Sequence, residues 1–395
     1  MIINSANPMS VGFLNDEAYG VDAALWVGSV GQTGIYAVGD VISGKTNPSG
    51  SLPDTWWVDN QLNPVQNNFG SYTYADANNF DLGTNANKFN QYVVYQEGIY
   101  VGYKYTETRY EDVVMGTPNA GSFNYNSVVG YPFGFGLSYT SFSFSDMQVE
   151  KIGEGRQTSY DVSVKVTNTG AVAGKKTVQV YAQKPYTEYD KQNGIEKAAV
   201  ELAGYGKTAI LQPGESEVVK VNVPEYFLTS YDATGTGVYI LDEGHYYLTV
   251  ADDSHAAANN ILAAKGMTTE NGMTAAGDAS LTYGMDYTFD AETYATSYGT
   301  GSEVKSLFAD ADVNRYEGSG DNSVVYYSRS NWAGTVTSGP VQLAMTAQIA
   351  ADAKLDDSDL PDATGMEFPT MGESANLQLV NMMDYDYDDP QWDIF

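Results

Sequence analysis

The strict alternation of apolar and polar side chains in the middle of the chain constrains its fold more than any other feature. One face of the segment "SYDVSVKVTNTG" is wholly apolar and consists of Tyr160, Val162, Val164 and Val166. The segments "SEVVKVNV" and "HYYLTV" repeat the pattern with Val219, Val221 and Val223 and with Tyr246, Leu248 and Val250. Turn signals such as "NTG", "QPGES" and "DEG" separate these strands. The pattern predicts a β-sandwich with one buried face per sheet.

The charge balance excludes several classes of partner. The 395 residues include 19 Lys plus Arg and 50 Asp plus Glu, a formal net charge of −31. Such a surface repels phosphate backbones and anionic membranes, so nucleic acid and a membrane surface are not expected partners. No apolar run approaches the ~20 residues of a membrane span. There are no cysteines, which excludes disulfides and thiolate metal sites but leaves the compartment open.

Composition divides the chain into four zones. Residues 1–58 alternate short apolar strands with helical segments and predict part of an α/β layer with a parallel sheet. Residues 59–140 form a connector rich in Asn, Gly and Tyr, with one extended stretch, "QYVVYQEGIYVGYKYTETRYED". Residues 141–252 are all β, a sandwich of the immunoglobulin or fibronectin type III kind. Residues 253–395 read as a less regular acidic tail.

The segment "GDVISGKT" fits the phosphate-loop pattern at Gly39, Gly44, Lys45 and Thr46, but its context argues against nucleotide binding. A phosphate loop needs a strand before the glycines and a helix after the lysine. Here the helical periodicity precedes Gly44, and "NPSG" follows Thr46. Gly44 therefore reads as the glycine that ends a helix.

Several motifs in order along the first two thirds of the chain carry a family resemblance. They are "GQTGIYAVGDVISGKTNPSGSLP", "VVYQEGIYVGYKYTE", "YPFGFGLSYTSFSFSDMQV", "VQVYAQKPYT" and "EKAAVELAGYGKTAILQPGESEVVKV". Together they resemble glycoside hydrolase family 3, the β-glucosidase and β-xylosidase group, over about residues 1–252. The resemblance implies the end of an α/β sandwich domain followed by a fibronectin type III-like domain.

The resemblance also implies retaining hydrolysis of β-glucosides or related β-glycosides, with two carboxylates about 5.5 Å apart. In the family the nucleophile is an Asp of a barrel domain, and the acid/base is often a Glu upstream of the strand that "MIIN" resembles. No segment of this chain resembles the barrel. We therefore assign no catalytic residue, no metal and no cofactor, and we expect the isolated chain to be inactive.

Three residues in the best-matching motifs are candidates for contact with sugar or for packing between domains. Glu97 belongs to the "QEGIYVGY" motif, where bonding at a domain junction is the simpler interpretation. Trp56 and Trp57 follow "SLPDT", and they either line a sugar cleft or pack between domains. We favour packing for both.

Two acidic segments and two histidines are candidate ligand sites. The loop "DADVNRYEGSGD" imitates a calcium-binding EF-hand loop with Asp310, Asp312 and Asn314, but Arg315 replaces the turn glycine and Asp321 replaces the bidentate Glu. A solvated acidic loop is the simpler interpretation, as it is for "MMDYDYDD" near the end. Neither His245 nor His255 has a partner that the sequence reveals; we expect His245 to be a turn residue at the start of a strand and His255 to lie at the domain edge.

The segment "MIINSANPM" lacks the features of a signal peptide and reads as the inside of a buried strand. The final segment "YDYDDPQWDIF" resembles the approach to the barrel domain of the family, so we expect a fragment of an enzyme in which the sandwich domains precede the barrel domain. The barrel domain and a β-glycoside would be its partners. The rival interpretation is a non-catalytic β-sandwich module that binds carbohydrate or protein.

Overall fold

The computed structural model describes residues 1–83, 90–306, 308–316, 323–337, 339, 341–354, 364–365, 376–383, 385–386 and 389–395. Its α-helices are α1 (Ile35–Ile42), α2 (Pro64–Asn68), α3 (Tyr103–Val114), α4 (Tyr125–Val128), α5 (Glu188–Asn193), α6 (Ser254–Ala264), α7 (Trp332–Thr335), α8 (Ala347–Ala353) and α9 (Gln391–Ile394). Its strands before the sandwich are β1 (Ile2–Ile3), β2 (Leu25–Trp26), β3 (Trp56–Trp57), β4 (Tyr72–Thr73), β5 (Gln91–Tyr92) and β6 (Val129–Tyr131). The later strands are β7 (Phe142–Ile152), β8 (Ser159–Asn168), β9 (Thr177–Gln183), β10 (Glu201–Lys207), β11 (Ser216–Pro224), β12 (Ser230–Tyr231), β13 (Tyr239–Ile240), β14 (Gly244–Ala251) and β15 (Thr282–Tyr287).

The first zone holds a parallel strand pair and one helix, as the sequence predicts. Strands β1 and β2 pair in parallel, with Ile2 opposite Leu25. Ile3 is buried, whereas half of Ile2 is exposed, so only one face of this pair is covered. Helix α1 ends at Ile42, and Gly44, which follows the cap residue Ser43, adopts the left-handed conformation at φ +75°. The helix therefore precedes the glycine, and the order of elements is the reverse of a phosphate loop.

The connector contains a correction to the sequence analysis. The stretch from Gln91 to Asp112 was expected to be extended, but only β5 is a strand, and "YKYTETRYEDVV" forms helix α3. Tyr and Thr favour strands in sequence patterns. The polar residues of α3 are buried with the apolar ones, so the helix shows no polar face from which a helical period could be recognised.

The sandwich is built from two antiparallel sheets. One sheet has the order β10-β9-β14-β15 and the other β11-β8-β7. The inward-facing residues that the alternation predicted are all buried, with exposures of 0–6%. They belong to one hydrophobic cluster that both sheets share, which includes Val164, Val221 and Leu248. Burial of these side chains from both sheets supplies the main driving force for folding of this unit.

The tail adds elements to both the sandwich and the connector. Strand β15 extends the sheet of β14, and helix α6 packs against β14 and α3. Helix α7 and the 3-10 turn Arg329–Asn331 lie against the connector, where Trp332 joins a cluster with Trp57, Tyr100 and Tyr105. The chain after residue 252 thus returns to the junction between connector and sandwich. No helix in the described residues is both long and apolar enough to cross a membrane.

Candidate functional site

Helix α3 is the element around which the polar groups of the junction are arranged. It begins after Gly102, whose φ of +56° turns the chain into the helix. It then buries its charged side chains, among them Glu107, Arg109, Glu111 and Asp112. Buried charges are tolerated where partners compensate them. Most of these partners come from the sandwich and the tail, which are distant in sequence.

Arg329 from the tail binds two consecutive carboxylates of α3. Its Nη2 donates to Glu111 Oε2 at 2.6 Å, and its Nε donates to Asp112 Oδ1 at 2.9 Å. Its backbone N–H donates to Glu196 Oε2 at 2.9 Å. The indole Nε1 of Trp332 donates to Asp112 Oδ2 at 2.7 Å. The tail is therefore joined to α3 and the sandwich by charge-assisted bonds that are largely buried.

The two carboxylates differ in their electrostatics. Burial would raise the pKa of Glu111, but Lys265 and Arg329 outweigh it and lower that pKa to about 2. Burial raises the pKa of Asp112, although Arg329 and Trp332 donate to it. A pair with opposite shifts is typical of glycosidase acid and nucleophile groups. Here both oxygens of Asp112 already accept bonds from protein donors, so the pair holds the junction together and has no free oxygen to present to a substrate.

A cleft of about 500 Å³ opens beside this ion-pair cluster. Its walls come from the end of α3, from the strand ends of the sandwich and from the tail. They include Glu111, Tyr186, Tyr247, Lys265 and Ser330. The volume of the cleft lies within the range of volumes that small-molecule sites have. The cleft is a candidate for ligand binding among the described residues.

The structure corrects the expectation that His255 lacks a partner. Its Nδ1 lies 2.8 Å from Glu107 Oε2, its Nε2 lies 2.6 Å from Thr274 Oγ1, and its ring stacks on Tyr125 at 3.7 Å between centroids. Hydroxyl, imidazole and carboxylate thus follow the order of a nucleophilic triad. However, the backbone N–H of Thr274 donates to Tyr110 Oη and is not available to an oxyanion. The network instead fastens α6 to α3.

His245 also has a partner that the sequence did not reveal. Its Nδ1 lies 2.7 Å from Asp286 Oδ1 across strands β14 and β15, and its ring meets the edge of Tyr247. The three hydrogen-bond partners of the two histidines lie 19 or more residues away in sequence, and only the strand register or the helix packing brings them together. No local sequence signal could have identified them.

Glu97, Trp56 and Trp57 all lie in the interior. Glu97 is 2% exposed and accepts a bond from Asn68 Nδ2 at 2.8 Å. Trp57 packs in the cluster that contains Tyr105 and Trp332, and Trp56 packs with Ile3 and Val11. None of the three lines the cleft of about 500 Å³.

The acidic loop at 310–321 is only partly described, because residues 317–322 and the side chain of Asp310 lie outside the described part. Asp312 Oδ1 accepts bonds from the backbone of Asn314 and from Tyr326 Oη, and Arg315 pairs with Asp352 at 3.0 Å. Asp321 falls outside, as do three residues of the segment "MMDYDYDD", at 384, 387 and 388. Among the described residues, no group of three or more His, Asp or Glu could hold a metal ion.

Lys45, the residue that a phosphate loop would use, has a partner within its own helix end. Its Nζ lies 2.9 Å from Asp40 Oδ1; the Lys45 side chain is largely exposed and the Asp40 side chain is partly exposed. An exposed pair of this kind adds little stability. It does place the ammonium beside the C-terminal end of α1, where a positive charge is favoured.

Comparison with known proteins finds two matching domains in the chain. Residues 1–103 match the glycosyl hydrolase family 3 C-terminal domain, and residues 176–254 match the fibronectin type III-like domain. The Beta-glucosidase of Ruminococcus albus is 32% identical over 263 residues, which is 65% of this chain and 23% of the relative. Beta-glucosidase A of Butyrivibrio fibrisolvens is 32% identical over 249 residues, 60% of this chain and 25% of the relative. The chain spans about a quarter of the length of these relatives.

Solved structures agree with this assignment. The β-glucosidase from Paenibacillus barengoltzii aligns with a TM-score of 0.50 at 33% identity, over 64% of this chain and 24% of that one. A family 3 β-glucosidase from Bifidobacterium adolescentis shares the fold, with a TM-score of 0.51 at 24% identity over 74% of this chain and 33% of that one. An α/β domain followed by a fibronectin type III-like sandwich defines the class, the C-terminal portion of a glycoside hydrolase. Residues 1–103 thus carry the C-terminal domain of glycoside hydrolase family 3, and residues 176–254 carry a fibronectin type III-like domain.

Proposed function

We propose that this chain is part of a retaining glycoside hydrolase that acts on β-glucosides or related β-glycosides. The observation that carries the proposal is the pair of domain matches, together with relatives that are named β-glucosidases. Retaining hydrolysis uses one carboxylate as nucleophile and a second as general acid and base. We infer that a barrel domain outside this sequence supplies the nucleophile.

The arrangement of the buried carboxylates supports the expectation that the isolated chain has no hydrolase activity. Glu111 and Asp112 accept bonds from Arg329, Glu107 accepts from His255 and Tyr125, and Glu97 accepts from Asn68. A catalytic carboxyl must face substrate with at least one oxygen. These four carboxylates are directed to protein partners instead.

The test compares the 395-residue chain with the complete product of its gene on an aryl β-glucoside. The complete product should release the aryl group, and NMR of the first sugar formed should show the β anomer, the product of retention. The 395-residue chain should show no turnover above buffer. Turnover by the 395-residue chain would contradict the location of the carboxylates, and an inactive complete product would contradict the function.

A non-catalytic binding module remains the second candidate, because the cleft beside α3 combines aromatic rings with fixed polar groups. Such a lining is typical of small-molecule sites. The two candidates differ in one outcome of the same experiment: a binding module would leave the aryl glucoside intact whichever length of chain is assayed.

A further inference from the structure

We propose that Lys197 and Asp242 form an intramolecular amide cross-link, with Asp190 as the group that moves the protons. The three side chains meet in the interior, where α5, the segment before β10 and the segment between β13 and β14 come together. The proposal is independent of the proposed hydrolysis, since it concerns a covalent bond within this chain and needs no external ligand.

The reacting groups are buried and in contact. The side chains of Lys197 and Asp242 are 1% exposed, and that of Asp190 is fully buried. Lys197 Nζ donates to Asp242 Oδ2 and lies 3.1 Å from Asp190 Oδ1. The backbone N–H of Asp242 donates to Tyr246 Oη at 2.7 Å, which fixes the chain on the side of the carboxyl. An amine and a carboxyl that are held in contact react as if each were present at very high concentration.

The charges of the three groups do not balance. One ammonium faces two carboxylates, so the fully ionised group would carry a net negative charge in the interior. Burial above all raises the pKa of Asp242 to about 6; Lys197 opposes this shift and the carboxylate of Asp190 adds to it. The protonated form of Asp242 is therefore accessible near neutral pH. Its Oδ1 accepts no hydrogen bond from the described residues and is free to carry that proton.

Asp190 is arranged to accept a proton from the ammonium. Its Oδ2 accepts bonds from the backbone N–H of Thr187 at 2.7 Å and from Thr187 Oγ1 at 2.9 Å. Its Oδ1 accepts no hydrogen bond from the rest of the described chain and faces Lys197 Nζ. Burial disfavours the charged form of a lysine, so a proton passes from the ammonium to Oδ1. The neutral amine that results is the nucleophile that amide formation needs.

The reaction balances without an oxidant, a reductant or a co-reactant. It starts from the ammonium of Lys197, the carboxylate of Asp190 and the carboxylic acid of Asp242. One ammonium proton moves to Asp190 Oδ1, and the lone pair of Nζ attacks Cγ of Asp242. As the Nζ–Cγ bond forms, Asp190 relays a second nitrogen proton to the hydroxyl of Asp242, which leaves as water. The products are a neutral amide, a neutral carboxylic acid at Asp190 and one water.

The product suits the interior better than the reactants do. An ion pair with an unbalanced carboxylate becomes an amide and a carboxylic acid, neither of which is charged. The bond joins residues that are 45 positions apart, next to strands β10 and β14, which lie on either side of β9. Such a cross-link restricts the unfolded chain as a disulfide would, in a chain that has no cysteine.

A second buried lysine provides an internal comparison. Lys184 Nζ lies 2.8 Å from Glu201 Oε2, and Lys104 pairs with the same carboxylate. Burial opposes the ionisation of Glu201, but the two lysines outweigh it and lower the pKa of Glu201 to about 2. An ionised carboxylate has no hydroxyl to release as water, so this pair should stay unlinked.

The test is mass spectrometry of the denatured 395-residue chain. Wild type should weigh one water, about 18 Da, less than its sequence requires. A tryptic digest should contain one branched peptide that joins residues 192–207 to residues 221–265, because trypsin does not cleave after an acylated Lys197. Cleavage after Lys184 should be normal, since that lysine stays free.

Three variants test the roles of the residues. Lys197→Arg keeps the positive charge, but its guanidinium stays protonated and cannot form the amide, so the chain should have its full mass. Asp190→Asn keeps the size of the side chain but cannot accept the proton, and it should also have its full mass. Lys184→Arg is the matched control and should lose one water as wild type does. Circular dichroism verifies that each variant is folded.

The wild-type chain decides the proposal even where a variant fails to fold. A full mass for wild type would overturn the cross-link, as would a lost water that the peptide map places at other residues. A branched peptide in folded Asp190→Asn would overturn the role of Asp190.

Discussion

At the scale of single residues, Arg329 has more consequence than any other side chain of the tail. It is 8% exposed and compensates two buried carboxylates of α3. Removing one partner of a buried ion pair leaves the other charged and desolvated, which costs far more than the pair contributes. The sequence could not indicate this role, because Arg329 and Asp112 are separated by 217 residues. The only sequence feature that indicated order in this part of the tail is the segment "SVVYYSRSNWAGTV", which is rich in apolar and aromatic residues.

Replacing Arg329 tests this view. Arg329→Met should lower the free energy of unfolding by about 3–5 kcal/mol, and Arg329→Lys by less, because lysine keeps the charge but loses the planar fork. Urea unfolding followed by tryptophan fluorescence measures both. Arg156→Met is the control, since Arg156 bonds the neutral acceptors Thr296 and Ser297, and its loss should cost about 1 kcal/mol. Equal losses at the two arginines would contradict the buried-pair argument.

Asp253 provides a prediction of pH dependence. Burial above all, and Glu107 nearby, raise the pKa of its carboxyl from 3.8 to about 6 in the folded chain. The native state therefore holds the proton more tightly than the unfolded chain does. The stability that this group contributes is present below about pH 4 and is lost as the pH rises through about 6.

The substitution Asp253→Asn keeps an N-cap oxygen for α6 and removes the titration. The free energy of unfolding of wild type minus that of the variant should fall by roughly 1–3 kcal/mol between pH 4.5 and pH 7. Asp278→Asn is the control, because Asp278 caps a 3-10 turn but is exposed. Its difference from wild type measures the effect of an Asp-to-Asn change at an exposed cap. A rising difference for Asp253→Asn would contradict the sign of the shift.

At the scale of elements, the sequence predicted the sandwich well and the connector poorly. The strands that contain Val164, Val221 and Leu248 follow a two-residue period because one face of each is buried. Helix α3 has no such signature, since its polar groups find partners in the interior. Local sequence patterns predict elements that have one solvent-exposed face and one buried face. They do not predict an element that is buried on all sides.

Helix α1 and the glycine after it allow a matched pair of substitutions. Gly44→Ala should destabilise the chain by about 1 kcal/mol, because φ is +75° and a side chain is strained there. Gly39→Ala lies within α1, where an added Cβ meets nothing within 4 Å, and it should stabilise by about 0.5–1 kcal/mol. Thermal unfolding by circular dichroism compares the two. Effects of the same sign would contradict the assignment of Gly44 as the residue that ends the helix.

Helix α7 inserts Trp332 into the junction, and this too can be measured. The side chain is fully buried, with Tyr100 at 4.6 Å between ring centroids. Trp332→Ala should cost about 3–5 kcal/mol through the cavity and the lost bond to Asp112. Trp392→Ala near the end of the chain serves as control and should cost less than about 1 kcal/mol, since the ring of Trp392 is only partly covered. Similar costs would contradict the central position of α7.

At the scale of the whole molecule, the net charge of −31 acts on every element together. Self-repulsion of a highly charged surface disfavours the compact state, and salt screens it. The midpoint of thermal unfolding should therefore rise by roughly 2–5 °C between 10 mM and 500 mM NaCl at pH 7. A midpoint that falls with added salt would indicate that local ion pairs such as Lys191 with Glu188 outweigh the repulsion.

The return of the tail to α3 has a consequence for the order in which the chain folds during synthesis. The strands of the sandwich are complete once residue 287 has left the ribosome, and loop closure among them spans moderate distances. The bond between Asp112 and Arg329 must close a loop of 217 residues, so Asp112 lacks this partner until the later segment emerges, whereas Lys265 is already available to compensate Glu111. A ribosome that pauses before residue 329 would hold a nascent chain whose sandwich is folded and whose junction is still open.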